Sequence, residues 1–158
     1  ASGQPPQAAP RTAGDQSPFY GGDAGSIGNT QMLRRMAGRR VLLADDDARI
    51  RMVFRKRLED EDYMVEEATN GEQAWEKLQN EAFAAAVLDM KMPGLHGLEL
   101  LARLTAAGSR VPVIICSAYE QLKDEFVVST YPHLRYLVKP VAAEKLLDAL
   151  RELVPQET

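Results

Sequence analysis

The chain predicts an α/β fold: a doubly wound, five-stranded parallel sheet with helices on both faces. Three observations carry that expectation. Short strand-like segments, most of them apolar, recur five times, at Val41–Ala44, Met64–Ala68, Ala84–Asp89, Val113–Ser117 and Leu134–Val138. Segments with apolar residues at helical spacing separate them, and a strand–helix alternation of this kind calls for parallel connections. A run as apolar as Ala84 to Leu88 suits a strand covered on both sides.

Each element has its own justification. After Val41–Ala44 come Asp45, Asp46 and Asp47, and then Ile50, Val53, Phe54 and Leu58 mark a first helix, with Asp47 as its cap. Met64–Ala68 alternates weakly as a second strand. Asn70-Gly71 starts a second helix through Ala74, Trp75 and Leu78 to about Glu81, with Trp75 partly in the core. Beyond the third strand, a Pro93-Gly94 turn leads to a third helix carrying Leu98, Leu101, Ala102 and Leu104, ended at Gly108. Ala142 to Leu153 closes the series, with Leu146, Leu147, Leu150 and Leu153 on one face. The topology also demands a crossover helix between Gln121 and Thr130. There the β-branched and aromatic stretch Phe126 to Tyr131, followed at once by Pro132, favours strand, so a short or distorted helix is expected.

Residues 1–38 read differently. Ala1 to about Thr30 is rich in Gly, Pro, Ala, Ser and Gln and nearly free of aliphatic side chains, so it cannot bury enough apolar surface to offset its ordering entropy. A flexible tail or linker is expected, with Phe19-Tyr20 either idle or a docking pair. Met32 to Arg40 is a short basic segment: a solvated lead-in, the end of a connecting helix, or a patch for an acidic partner. The globular domain is placed at 39–155.

Composition narrows the functions available. The chain has 158 residues, enough for one domain with a well-buried core, and a net charge of −4. Residues 1–40 carry five Arg against two Asp, and the remainder carries 14 basic against 21 acidic residues, or −7. An acidic domain is a poor direct binder of nucleic acid. Cys116 is the one cysteine, so an internal disulfide and multi-cysteine metal sites are excluded; within VPVIICS it reads as a core thiol in a reducing compartment. No run approaches 18 apolar residues and no signal-peptide pattern opens the chain, so a cytoplasmic protein without a membrane partner is expected. His96 and His133 form no recognisable metal pair or triad, and both are expected on the surface.

The polar residues converge on one edge. Asp45 and Asp46 end the first strand, Asp89 the third, Ser117 the fourth and Lys139 the fifth, all at the carboxyl edge where α/β sheets bind ligands. Singly, each has an ordinary explanation as a helix cap, turn residue or surface lysine. Together, three carboxylates within a few ångströms call for a shared cation, and oxygen ligands in a site too open to enclose an ion suit Mg²⁺. With a lysine and a hydroxyl added, the site can neutralise a phosphoryl group.

Four blocks carry a resemblance: Leu42 to Asp47 (LLADDD), Leu88 to Gly94 (LDMKMPG), Ile115 to Ala118 (ICSA) and Tyr136 to Pro140 (YLVKP). In this order they resemble the signature blocks of response-regulator receiver domains, over about Arg40 to Val154. The resemblance implies the flavodoxin-like strand order 2-1-3-4-5. It implies Asp89 as phosphoacceptor, loaded from a phosphohistidine on a sensor histidine kinase or histidine phosphotransfer protein. Mg²⁺ would be held by Asp46, Asp89 and the backbone carbonyl of Lys91, with Asp45 acting through water. Ser117 and Lys139 would bind phosphoryl oxygens. Ser117 and Tyr136 would act as switch residues, remodelling for a downstream protein partner the face made by segment 121–130, the fifth strand and the closing helix.

Departures from the family pattern sharpen these expectations. Lys91 and Tyr119 are bulky residues flanking the path of hydrolytic water, and are expected to tune dephosphorylation. Tyr131 to Arg135 replaces the usual Gly/Ala-rich turn, which suggests unusual signalling through that face. A phosphorylation-independent pseudo-receiver is the alternative, against which the intact Asp45, Asp46, Asp89, Ser117 and Lys139 argue. An aspartyl phosphatase or phosphotransferase would carry a second Asp two residues after Asp89, where this chain has Lys91, so no enzymatic turnover of an external substrate is expected. The chain is expected to be either a stand-alone receiver or the C-terminal receiver of a longer protein.

Overall fold

The computed structural model describes residues 38–120, 128 and 130–154. Five parallel strands form one sheet in the order β2-β1-β3-β4-β5, as expected: β1 Arg40–Ala44, β2 Met64–Ala68, β3 Ala85–Asp89, β4 Val113–Ser117 and β5 Leu134–Val138. Four helices lie wholly within the described residues: α1 Ala48–Asp60, α2 Gly71–Asn80, α3 Gly97–Ala106 and α4 Ala143–Leu153.

Alternation along the strands builds two cores. Leu42, Ala44, Ala86, Leu88, Val113 and Ile115 point to one side, where they meet Ala74 of α2 and Leu100, Leu101 and Leu104 of α3. Val41, Leu43, Ala85, Val87, Ile114 and Cys116 point to the other, against Phe54 and Leu58 of α1 and Leu146, Leu147 and Leu150 of α4. The central strands β3 and β4 are buried at every position, and the edges β2 and β5 are not.

Local chemistry starts each helix. Asp47 caps α1 by accepting from the Arg49 and Ile50 amides at 2.9 and 3.4 Å. Asn70 accepts from the Gln73 amide at 2.8 Å and caps α2. At α3 the Glu99 carboxylate reaches back to the His96 amide at 3.2 Å, so exposed His96 is a boundary residue. Two residues of the expected apolar stripes depart from them: Ala102 of α3 is exposed, and Val53 is 56% exposed beside Met52, because α1 rolls Phe54 and Leu58 onto the sheet and leaves position 53 on the solvent side.

The unusual turn before β5 has a structural explanation. Tyr131 is buried, and its hydroxyl donates to the Val111 carbonyl at 2.7 Å. His133, exposed with φ +59°, sends its carbonyl to the Val113 amide at 3.0 Å. Tyr131 thus ties the entry of β5 to the entry of β4. Of the expected crossover helix, Val128 and Thr130 are helical and Val128 is buried; the rest of 121–130 lies outside the described residues.

Gly71 marks a close approach between α2 and the loop after β3. A Cβ built there would lie 1.9 Å from the Leu95 carbonyl oxygen and 2.5 Å from Leu95 Cβ. Since backbone must move to admit it, Gly71→Ala is expected to destabilise the fold by roughly 1–3 kcal/mol, read as a lowered urea midpoint at unchanged m-value.

Candidate functional site

The site lies just beyond the carboxyl ends of β1, β3, β4 and β5, and main-chain bonds set its frame. The Asp45 amide donates to Ala68 O (3.1 Å), the Met90 amide to Cys116 O (2.8 Å) and the Lys139 amide to Ser117 O (2.7 Å). Together these bonds carry the strand order past the last sheet residues and fix where the side chains begin.

Asp45, Asp46 and Asp89 each offer a carboxylate oxygen within 4.8 Å of the others, the only such group of potential metal ligands among the described residues. Asp45 and Asp89 are buried and Asp46 is exposed. Lys139 Nζ lies 2.9 Å from Asp89 Oδ1. Burial works against the lysine's charge, but the hydrogen bond and charge of Asp89, with Asp45 adding to them, hold its pKa above the ordinary lysine value. Ser117 is buried, and its hydroxyl accepts from the Tyr119 amide at 3.0 Å.

Burial is the main reason that Asp45 is pushed up to about 6; its bond from the Asp47 amide pulls the other way, and the Asp89 charge adds to the rise. Carboxylate repulsion, expected from the sequence, is therefore present but second to desolvation. The site holds more negative charge than one lysine offsets, and its donors are hard oxygens, which fits a divalent cation such as Mg²⁺. Cys116 is a core thiol as expected, with burial pushing its pKa up to about 12.

A cavity of about 260 Å³ opens beside Asp89, lined by Met90, Lys91, Ser117, Ala118, Tyr119 and Lys139. At its rim Lys91 Nζ is 3.2 Å from the Tyr119 hydroxyl and 5.2 Å from the centre of its ring. The Tyr136 hydroxyl in turn donates to the Tyr119 carbonyl. Asp45, Asp46, Asp89, Lys91, Ser117, Tyr119 and Lys139 thus lie together at this edge, and Tyr136 joins them through the Tyr119 carbonyl.

Sequence reasoning missed Arg51 and Glu67. Arg51 Nη1 donates to the Asp45 carbonyl at 2.7 Å and its Nε to Glu67 Oε1 at 2.8 Å. A signal was present: Arg51 lies three residues before Phe54 and seven before Leu58, so it is a charge on the apolar stripe of α1.

The family model described as the response regulator receiver domain matches residues 41–151. The chain belongs to this family. Receiver domains are signalling phosphoacceptor domains that bind Mg²⁺ in an acidic site and interact with histidine kinases and downstream effectors. Response regulator RppA of Synechocystis sp. is 34% identical over 116 residues, covering 72% of this chain and 50% of that protein. The chain thus spans about half the length of the curated relatives it matches. Among solved structures, the receiver domain of Francisella response regulator 1452 superposes with a TM-score of 0.68 at 27% identity, over 73% of this chain and 96% of that one. The receiver domain of sensor histidine kinase PA1611 from Pseudomonas aeruginosa, with a magnesium ion in its active site cleft, gives 0.66 at 25% identity, over 75% and 99%. Among the described residues of this receiver, no helix is long and apolar enough to cross a membrane.

The raised pKa of Asp45 sets a pH dependence. Because the folded value, about 6, exceeds the ordinary 3.8, the native state binds the proton more tightly than the unfolded chain. The resulting penalty is absent below the unfolded value and complete above the folded one. In metal-free receiver, stability relative to Asp45→Asn is therefore expected to fall by on the order of 2 kcal/mol between pH 4 and 6.5, measured by urea unfolding across that range.

Proposed function

We propose that this receiver takes a phosphoryl group onto Asp89 from a phosphohistidine of a sensor histidine kinase or a histidine phosphotransfer protein, and thereby switches a protein-binding surface. The observation that carries the reading is Lys139 Nζ at 2.9 Å from Asp89 Oδ1 within a set of three carboxylates. The nucleophile and a cation for the transferring oxygens are thus held together in advance.

Ionised Asp89 attacks phosphorus as the bond from phosphorus to the donor imidazole nitrogen breaks, and the electron pair returns to the ring. The product is an acyl phosphate on Asp89, with the phosphoryl oxygens bound by the Lys139 ammonium and the Ser117 hydroxyl. Mg²⁺, held by Asp46, Asp89 and the main-chain carbonyl of Lys91, with Asp45 acting through water, would supply further positive charge to those oxygens. Movement of Ser117 toward the phosphoryl group carries the Tyr119 backbone with it, and Tyr136 follows through its bond to the Tyr119 carbonyl. The face read by a downstream protein includes β5 and α4; most of segment 121–130, expected to complete it, lies outside the described residues. Lys91 and Tyr119, paired at the cavity rim, restrict water and slow dephosphorylation. The domain acts on its own carboxylate and turns over no external substrate. Residues 39–155 make up the receiver and 1–38 a tail or linker; a reducing cytoplasm suits its single buried thiol, and the acidic surface disfavours nucleic acid.

Intact mass after incubation with acetyl phosphate and Mg²⁺ tests this reading. One phosphoryl group is expected on the unsubstituted chain, none on Asp89→Asn, and a rate at least about tenfold lower for Lys139→Ala. Lys91→Ala with Tyr119→Ala should shorten the lifetime of the modified species in the same spectra. No gain, where a control receiver is modified, would favour a phosphorylation-independent module.

A further inference from the structure

The β1–α1 loop carries two of the three carboxylates, and its first residue, Asp45, is held from several sides. The Asp45 amide is bound to Ala68 O at 3.1 Å, and the Asp45 carboxylate accepts the Asp47 amide at 2.8 Å. The Asp45 carbonyl accepts from Arg51 Nη1 at 2.7 Å. That carbonyl belongs to the peptide joining Asp45 to Asp46, so the arginine sets the plane from which the Asp46 side chain departs. Asp46 is exposed, so packing does little to fix it and its direction follows from the backbone.

Arg51 is itself rigid. Its side chain is 14% exposed, and its Nε is paired with Glu67 of β2 at 2.8 Å. Glu67 is in turn held by Arg55, and the hydrogen bonds from Arg55 and Arg51 keep its carboxyl below the usual range, so the brace stays charged. The planar fork of guanidinium lets one side chain span a carboxylate and a carbonyl in a fixed geometry, whereas the ammonium of a lysine is a compact charge that imposes no such plane.

We propose that Arg51, braced by Glu67, is a positioning residue for the divalent-cation site: by clamping the Asp45 carbonyl it fixes the Asp45–Asp46 peptide and aims two carboxylates at the ion. Arg51 is not a ligand. Groups that orient metal ligands typically change affinity by 10–100-fold when removed, so a similar loss is expected here. The proposal rests on the reading of the acidic cluster as a Mg²⁺ site.

The experiment compares the full chain with Arg51→Gln, Arg51→Lys and Arg55→Gln. Arg55→Gln removes the other arm on Glu67 and leaves the Asp45 carbonyl clamped, so it reports the effect of weakening the ion-pair network alone. Titration calorimetry with MgCl₂ should show Kd raised at least about tenfold in Arg51→Gln, several-fold in Arg51→Lys, and less than twofold in Arg55→Gln. A second readout needs no metal: amide exchange at Asp47, whose N–H is held by the Asp45 carboxylate, should accelerate several-fold in both Arg51 variants and stay unchanged in Arg55→Gln. Unchanged affinity and exchange in Arg51→Gln would overturn the proposal, as would full retention by Arg51→Lys or an equal loss in Arg55→Gln. If the unsubstituted chain binds no Mg²⁺, the cation reading fails and the exchange rates alone decide whether Arg51 fixes the loop.

Discussion

Burial and crowding of carboxylates at one sheet edge form the constraint on which the rest of this site depends. Two unit charges about 5 Å apart, at an effective dielectric of about 20, repel by roughly 3 kcal/mol. Asp45 and Asp89 are within that range and both are buried, with Asp46 beside them. The fold tolerates the arrangement because Lys139 pairs with Asp89, the Asp47 amide bonds Asp45, and Asp45 holds its proton to higher pH than an ordinary aspartate. A site kept short of positive charge in this way has the charge and the hard oxygen donors that suit a divalent cation.

Rigid scaffolding makes such crowding sustainable. Side chains this close would spread apart on a loose loop, but here each springs from the end of a strand whose next amide is already bonded to a neighbour. The two apolar clusters on either side of the sheet fix the strands, and the strands fix the charges. Gly97 extends the same logic into α3: its amide donates to the Met90 carbonyl at 2.9 Å, so the helix begins directly beneath the residue that follows Asp89.

Much of this was legible in the sequence because it is written in local patterns. The strands from Met64, Val113 and Leu134 begin and end where the sequence pattern places them, and the Asp47 and Asn70 caps sit one residue before their helices. The convergence of Asp45, Asp46, Asp89, Ser117 and Lys139 followed from placing each at a strand end in a parallel sheet. Contacts made across the fold were harder to see. Val53 fits the helical period of α1, yet its exposure depends on how the helix rolls onto the sheet. Tyr131 looked like a break in a turn and is an anchor, since its partner Val111 is 20 residues away. Arg51 acts through a backbone carbonyl, a partner that carries no side-chain signature.

The path from the acidic cluster outward is short: Ser117 and Tyr136 both bond to the backbone of Tyr119, whose side chain meets Lys91 at the cavity rim. One residue thus touches the hydroxyl of the site, the aromatic of β5 and the lysine at the cavity rim. The starting point of that path is the unbalanced charge, and its most direct measurement is the thermal midpoint at pH 7.5 as MgCl₂ is raised at constant ionic strength. A midpoint that climbs with the logarithm of Mg²⁺ concentration, and does so far less in Asp46→Asn, is the expected result. A midpoint independent of Mg²⁺, or one that climbs equally in Asp46→Asn, would contradict the view that these carboxylates are held together for a cation.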